Sequence, residues 1–80
     1  MAGDSDRFAE VLAAVLRDAR EKAGLSQKKL AKQSGVGRTG IVTIEAGARL
    51  PSIWLCKMLA DGMGVSLASL MSEVERRLKR

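Results

Sequence analysis

The chain has 80 residues, which allows one domain near the lower size at which chains fold unaided. Its 14 Lys and Arg residues against 9 Asp and Glu give a net charge of +5. Cys56 is the only cysteine and histidine is absent, which excludes a disulfide framework and a structural zinc, so we expect no metal and no cofactor. Apolar runs fall far short of the ~20 residues of a membrane span and the N-terminus is acidic, so we expect a soluble, cytoplasmic protein without a signal peptide or membrane partner.

Helical periodicity dominates the chain, and no segment alternates for long enough to predict a strand. The first apolar stripe predicts a helix over about residues 6–23, which Gly24 ends in the left-handed conformation. Three later helix starts share a hydrophobic staple, in which an apolar residue before the cap stands five positions ahead of another apolar residue. The staples pair Leu25 with Leu30, Val36 with Ile41, and Val65 with Leu70.

The staples predict the second, third and fifth helices over about residues 27–34, 38–46 and 66–77. Pro51 and Ser52 open a fourth helix over about residues 52–63. We expect five residues of the fourth helix to point inward: Ile53, Cys56, Leu59, Ala60 and Met63. The sequence therefore predicts an all-α fold, with a single five-helix domain over residues 1–80.

The basic charge is concentrated in one window of the chain. From Lys22 to Arg49 there are six basic residues and one acid, Glu45, so this window holds the whole excess of +5 and the rest of the chain is balanced. A localised positive patch suits a polyanion, because each Lys or Arg brought to a phosphate releases condensed counterions. An ordinary solvated surface fits the charge alone equally well.

The same window has the pattern of two short helices joined by a tight turn. Five residues occupy the positions that such a unit constrains: Leu30, Ala31, Gly35, Ile41 and Ile44. Ala31 has to be small where two helices cross, and Gly35 has to turn sharply, which a Cβ would penalise. The two isoleucines attach the third helix to the core. Four residues of that helix then face outward: Arg38, Thr39, Val42 and Thr43. Three residues between the helices make the short turn of a helix-turn-helix.

The stretch GLSQKKLAKQSGVGRTGIVTIEAGARLPS resembles the Cro and lambda-repressor type of helix-turn-helix, also called the XRE family. The tail LADGMGVSLASL resembles the fourth and fifth helices of that family, so the likeness covers about residues 12–71. It implies a five-helix, lambda-repressor-like, sequence-specific DNA-binding domain that is homodimeric and in many members a repressor. The small size is similar to that of restriction-modification controller proteins and of small phage or mobile-element repressors.

The resemblance implies a role for each matching position. Arg38 and Thr39 begin the third helix, where the family contacts base edges, and Arg38 has the donors to bind a guanine bidentately. Thr43, one turn on, is a further candidate base contact, and Val42 either meets a thymine methyl or is a tolerated surface valine. The implied phosphate contacts are Gln27, Lys28, Lys29 and Arg49.

Arg20 and Glu45 match a pair that in the family often forms an ion pair between helices one and three. Glu45 is the one acid of the basic window, so it has either this structural role or a direct contact with DNA. We prefer the structural role.

Five positions depart from the family pattern, one of them Val42, which replaces a polar residue. Lys28 and Lys29 stand where Glu is common, and a Lys in the first turn opposes the helix dipole at a cost of ~0.3–1 kcal/mol, which nearby phosphates would offset. Lysines tolerated for solubility are the alternative. Gly37 replaces the usual Ser or Thr cap, and Gly40 costs up to ~1 kcal/mol against Ala in a helix. We expect either a close approach of this backbone to DNA or a helix that orders only on binding.

A leftover apolar strip on the fourth and fifth helices predicts a partner surface. We assign five residues to a dimer interface: Trp54, Met58, Met71, Val74 and Leu78. A two-fold homodimer would cover the strip and present two third helices ~34 Å apart, one turn of DNA. In the alternative, the fifth helix folds back over the first and hides the strip.

Together these features predict a transcriptional regulator that binds an inverted-repeat operator in double-stranded DNA as a homodimer, with the third helix in the major groove. The alternative is a protein-binding module, such as an antitoxin or a co-regulator, built on the same fold. We expect no enzyme, because the chain has no His, no carboxylate pair placed for acid-base work, no phosphate loop and no nucleophile beside a base. No feature of the sequence suggests a small-molecule ligand.

Overall fold

The computed structural model describes the backbone of residues 2–79 and the side chains of residues 4–79. Five helices follow one another: α1 Ala2–Lys22, α2 Gln27–Ser34, α3 Arg38–Glu45, α4 Ile53–Met63 and α5 Leu67–Leu78. The all-α, five-helix prediction is confirmed. No single helix within residues 2–79 is long and apolar enough to cross a membrane, and α4 with α5, bent by 111° at their break, passes that test only by length and composition as a pair.

α1 begins four residues before residue 6, where the periodicity placed its start. Asp4 lies in the first turn, where a negative charge suits the positive end of the helix dipole. Arg7 donates a hydrogen bond from Nη2 to the carbonyl oxygen of Leu78 at 2.9 Å, which ties the early part of α1 to the end of α5. The apolar stripe gave no signal for this first turn, because residues 2–5 include no large apolar side chain.

Serine caps begin three of the helices. The Oγ atoms of Ser26, Ser52 and Ser66 each accept a hydrogen bond from the backbone N–H three residues later, at 3.0 Å. Since these serines are caps, α4 and α5 begin one residue later than predicted. α2 ends at Gly35, whose φ of +79° is a conformation that a side chain would strain. α3 follows Gly37 and has no side-chain cap.

The core takes large side chains from all five helices. Those that are fully buried are Leu16, Leu30, Ile41, Ile44, Leu59 and Val74. Cys56 is buried among them, and this burial raises the pKa of its thiol, so it serves as a small apolar residue. α2 packs on α4, and α1 packs on both α5 and α3. The packing holds α3 by one face and leaves the other open.

α2 and α4 approach each other closely at Ser34 and Gly62. A β-carbon on Gly62 would lie 2.8 Å from the Cβ of Ser34, closer than real β-carbons come, and 3.0 Å from its Cα. The crossing therefore needs a residue without a side chain on α4. No local pattern in the sequence predicts this contact.

The apolar strip predicted on α5 belongs largely to the core. Val74 is 1% exposed, so its assignment to a dimer interface is wrong, and Met71 and Leu78 are half-buried against the same core. The reason is that α5 lies along α1, as the alternative interpretation had it. An ion pair of 2.9 Å between Arg77 Nη2 and Asp18 Oδ2 joins the two helices.

The start of α4 departs from the prediction in the opposite direction. Ile53, expected to point inward, is 64% exposed, and its neighbour Trp54 is 66% exposed. Ile53 directly follows the Ser52 cap, in the first turn of α4. That turn extends past the region where the other helices cover Cys56 and the residues beyond it, so helical spacing alone does not bury Ile53.

Candidate nucleic-acid interface

α2 and α3 form the predicted two-helix unit. Gly35, Val36 and Gly37 separate them, and Val36 is buried so that the turn is attached to the core. On α3 the side chains of Ile41 and Ile44 are each 1% exposed. This anchoring fixes which face of α3 is presented to solvent.

The exposed face of α3 gathers the four residues predicted to contact bases. Together they line one shallow depression of about 290 Å³: Arg38, Thr39, Val42 and Thr43. The first three are exposed and Thr43 is half-buried. The depression offers one cation, two hydroxyls and one apolar side chain at positions one helical turn apart.

A buried ion pair joins α1 to α3, as the resemblance implied. Arg20 donates from Nε to Glu45 Oε2 at 2.8 Å and from Nη2 to Glu45 Oε1 at 3.0 Å. Its Nη1 also donates to the carbonyl oxygen of Leu25 at 2.7 Å. The hydrogen bonds to Glu45 raise the pKa of Arg20 above its usual value. Both side chains are largely buried, so Glu45 is a structural residue that holds the end of α3.

Gln27 takes part in the same network, a role that was not predicted from the sequence. Its Nε2 donates a hydrogen bond to Glu45 Oε1 at 3.1 Å. The predicted phosphate contact through this side chain is thereby restricted, because a Gln amide has two N–H donors and one is engaged. A contact between positions 18 residues apart has no local signature in the sequence.

The other predicted phosphate contacts are accessible. Lys28, Lys29 and Arg49 are exposed, the two lysines in the first turn of α2 and Arg49 in the turn after α3. Neither α2 nor α3 has an acid in its first turn. The N-terminal ends of both helices therefore combine a positive dipole with positive or neutral side chains.

Nothing in the described chain requires glycine at positions 37 and 40. A β-carbon on Gly37 would have no neighbour within 4 Å, and one on Gly40 would lie 3.7 Å from Val36 Cγ1, an ordinary contact. α3 nevertheless runs without a break from Arg38 to Glu45. A β-carbon at either position is therefore compatible with the fold of this chain.

Three large apolar side chains that follow Arg49 in the chain are exposed, and we call them the Trp54 patch: Leu50 at 46%, Ile53 at 64% and Trp54 at 66%. Of these three residues, only Trp54 was predicted to lie at an interface. Met58, also predicted for the interface, is half-buried and packs against the core. A run of apolar residues around the helix start was the available signal.

The chain is similar in sequence to known helix-turn-helix proteins. The helix-turn-helix family profile (HTH_3) matches residues 16–70. The control protein C.MunI of Mycoplasma sp. is 35% identical over 57 residues, which are 71% of this chain and 77% of that protein. The cryptic phage CTXphi transcriptional repressor RstR of Vibrio cholerae is 32% identical over 63 residues, 79% of this chain and 57% of that protein.

Solved structures show the same fold. The wild-type restriction-modification controller protein C.Esp1396I matches with a TM-score of 0.84 at 23% identity, covering 91% of this chain and 96% of that one. The same protein as a tetramer in complex with its natural 35 base-pair operator also matches with a TM-score of 0.84.

The five-helix fold, with the outward face of α3 and its basic surroundings, defines a DNA-binding transcriptional regulator of the helix-turn-helix class. The chain belongs to the helix-turn-helix family HTH_3, of the XRE type that its sequence resembles.

Proposed function

We propose that this protein binds an inverted-repeat operator in double-stranded DNA, with α3 in the major groove, and so regulates transcription. One observation carries the proposal: Arg38, Thr39, Val42 and Thr43 line a single exposed face of a helix whose opposite face is held in the core. The major groove admits an α-helix, and base edges there present acceptors, donors and methyl groups. The exposed face of α3 carries a cation for the acceptors, hydroxyls for the donors and a valine for the methyl groups.

Phosphate contacts would set the position of α3 over the bases. The exposed Lys28 and Lys29 at the start of α2 and Arg49 after α3 supply the charges. Gln27 contributes the amide N–H that Glu45 leaves free. Phosphates near the first turn of α2 would offset the unfavourable position of its two lysines in the helix dipole.

We propose that two copies meet through the Trp54 patch. A two-fold axis there would cover Leu50, Ile53 and Trp54 and present two α3 helices to half-sites ~34 Å apart. The three side chains expose less area than the ~800 Å² per partner of a standard interface. We therefore expect a weak dimer in solution, stabilised when both copies bind one operator.

The patch also favours the rival function of a protein-binding module, because exposed Trp residues are typical anchors of protein interfaces. Replacing Trp54 by Ala separates the two. In the regulator, this change abolishes cooperative occupation of two half-sites while a single half-site is bound as before. If the protein is instead a protein-binding module, it either does not bind DNA or binds it equally well after Trp54→Ala.

The experiment that tests the function is selection from a genomic fragment library at several salt concentrations. We expect one inverted repeat to be enriched and the affinity to fall steeply with salt, because phosphate contacts release counterions. Failure to enrich an inverted repeat at any salt concentration, or an affinity that salt leaves unchanged, would contradict the proposal.

Two variants distinguish the proposed base contacts of α3 from the proposed phosphate contacts of α2. Arg38→Ala should relax specificity at one base position by ~1–3 kcal/mol, whereas Lys29→Ala should weaken all sequences alike and reduce the salt slope by about one. Arg76→Ala removes the same charge from α5, outside the two-helix unit, and should leave the enriched sequences unchanged. Identical behaviour of the first two variants would contradict the division of roles.

Regulation by binding needs no catalytic step and no cofactor, and we propose neither for this chain. Operator binding requires access to the DNA of the cell, so we place the protein in the cytoplasm.

A further inference from the structure

The hydroxyl of Thr43 is already engaged within α3. Its Oγ1 donates a hydrogen bond to the carbonyl oxygen of Thr39, one turn earlier, at 2.8 Å. A threonine hydroxyl has one proton and two acceptor lone pairs, so Thr43 in this rotamer can accept a further hydrogen bond but cannot donate one. The bond also fixes the direction of the lone pairs, because the χ1 angle of a β-branched residue is restricted in a helix.

This restriction selects among base edges in the major groove. Adenine offers the N6 amine and cytosine the N4 amine as donors, whereas guanine presents only acceptors and thymine an acceptor and a methyl group. Thr43 lines the same depression as Arg38, whose guanidinium has donors only. The two side chains therefore require opposite partners, an amine for Thr43 and a pair of acceptors for Arg38.

Val42 lines the same depression and is 44% exposed. It has no polar side-chain atom, so it can contribute to discrimination only through an apolar contact. The C5 methyl of thymine is the apolar group that the major groove offers.

We infer that Thr43 selects an adenine or a cytosine through the exocyclic amine, and that Val42 selects a neighbouring thymine through its methyl group. The inference rests on the proposed function, and it specifies the half-site. Each half-site contains a guanine opposite Arg38, a thymine methyl opposite Val42, and an amine-bearing base opposite Thr43.

Selection of half-sites with three proteins tests the role of Thr43. Wild type and Thr43→Ser, which keeps the hydroxyl, should both prefer adenine or cytosine at one position. Thr43→Val keeps the shape without the hydroxyl and should lose that preference, roughly 3- to 10-fold. A helical spectrum matching wild type shows that each variant is folded. A preference for guanine or thymine at the position that Thr43→Val relaxes would overturn the inference.

Base analogues separate an accepting hydroxyl from a donating one. Where adenine is selected, purine in its place removes the amine and should weaken wild type roughly 3- to 10-fold while leaving Thr43→Val unchanged. Replacement by 7-deazaadenine removes the N7 acceptor and should leave the wild-type affinity unchanged. Where cytosine is selected, the analogue without the N4 amine takes the place of purine. Loss of affinity with 7-deazaadenine that disappears in Thr43→Val would show a donating hydroxyl and contradict the inference.

Deoxyuridine in place of thymine tests the role of Val42. Removing the methyl group at one position should lower the DNA affinity of the wild-type protein roughly 3-fold and should have less effect on the affinity of Val42→Ala. Equal effects of the replacement on both proteins, at every thymine of the half-site, would show that Val42 contacts no methyl.

These outcomes are distinct from those that test the proposed function. If wild type enriches no duplex sequence, the proposed function fails. If it enriches an inverted repeat whose positions respond differently to the variants and analogues, the function stands and the assignment of Thr43 and Val42 is wrong.

Discussion

Arg20 and Glu45 meet in two parallel hydrogen bonds, of 2.8 Å from Nε and 3.0 Å from Nη2, with 11% and 6% of their side chains exposed. This pair connects α1 to the last residue of α3 and, through Gln27, to the first residue of α2. It is thus the point at which the orientation of the two-helix unit is tied to the rest of the fold.

Removing the carboxylate should therefore destabilise the whole protein. We expect Glu45→Ala to lower the free energy of unfolding by about 3 kcal/mol, because Arg20 is left buried without its partner. Urea denaturation measures the loss. Lys57→Ala, which breaks the exposed pair with Asp61, is the matched control and should cost less than about 1 kcal/mol. Similar losses in the two variants would show that burial does not distinguish the pairs.

A methyl group added to Gly62 should also destabilise the fold. We expect Gly62→Ala to cost about 1–3 kcal/mol, because its Cβ would stand 2.8 Å from the Cβ of Ser34, and the contact outweighs the better helix propensity of Ala. Thermal and urea denaturation would both report the change. A variant as stable as wild type would mean that α2 and α4 can move apart at no cost.

Gly40→Ala should have opposite effects on stability and on DNA binding. A β-carbon there makes only an ordinary contact with Val36, so the better propensity of Ala should stabilise the protein by about 0.5–1 kcal/mol. If the backbone at Gly40 lies against DNA, the same methyl group should weaken binding to the selected operator. Denaturation and operator titration of the one variant check both halves. Unchanged operator affinity would leave the glycine without a role in DNA contact.

The stability contributed by Glu73 should be lost in acid. Hydrogen bonds from Arg76 and Arg77 lower its pKa from 4.5 to about 2. Because the folded-state value lies below the unfolded one, the carboxylate stabilises the fold above about pH 4.5, and the contribution disappears as the pH falls towards 2. Glu73 is half-buried and its partner Arg76 is exposed, so water screens the pair and the effect is small.

The difference in urea midpoint between wild type and Glu73→Gln should thus be constant from about pH 7 to 5 and shrink below that. Glu75→Gln, on the exposed side of α5, serves as the control for a general change in charge. A Glu73→Gln difference that persists unchanged at about pH 2 would contradict the assignment.

The spacing of residues that are close in the chain determines most of the secondary structure of this protein. The staples, the serine caps and the left-handed Gly35 act over three to five residues, so the five helices and the two-helix unit follow from positions that are neighbours in the chain. The outward face of α3 follows in the same way from the inward spacing of Ile41 and Ile44. The ion pair of Arg20 with Glu45 could be predicted only from the resemblance to a family.

The tertiary structure decided which apolar faces are covered. Val74 is buried because α5 lies along α1, joined there by a side-chain pair 59 positions apart in the chain. Ile53 is exposed because, within residues 2–79, no helix packs over the start of α4. The bond from Gln27 to Glu45 and the approach of Gly62 to Ser34 likewise join distant segments. Periodicity states which side of a helix is apolar, whereas its burial depends on whether another element packs there, and that is a property of the assembled chain.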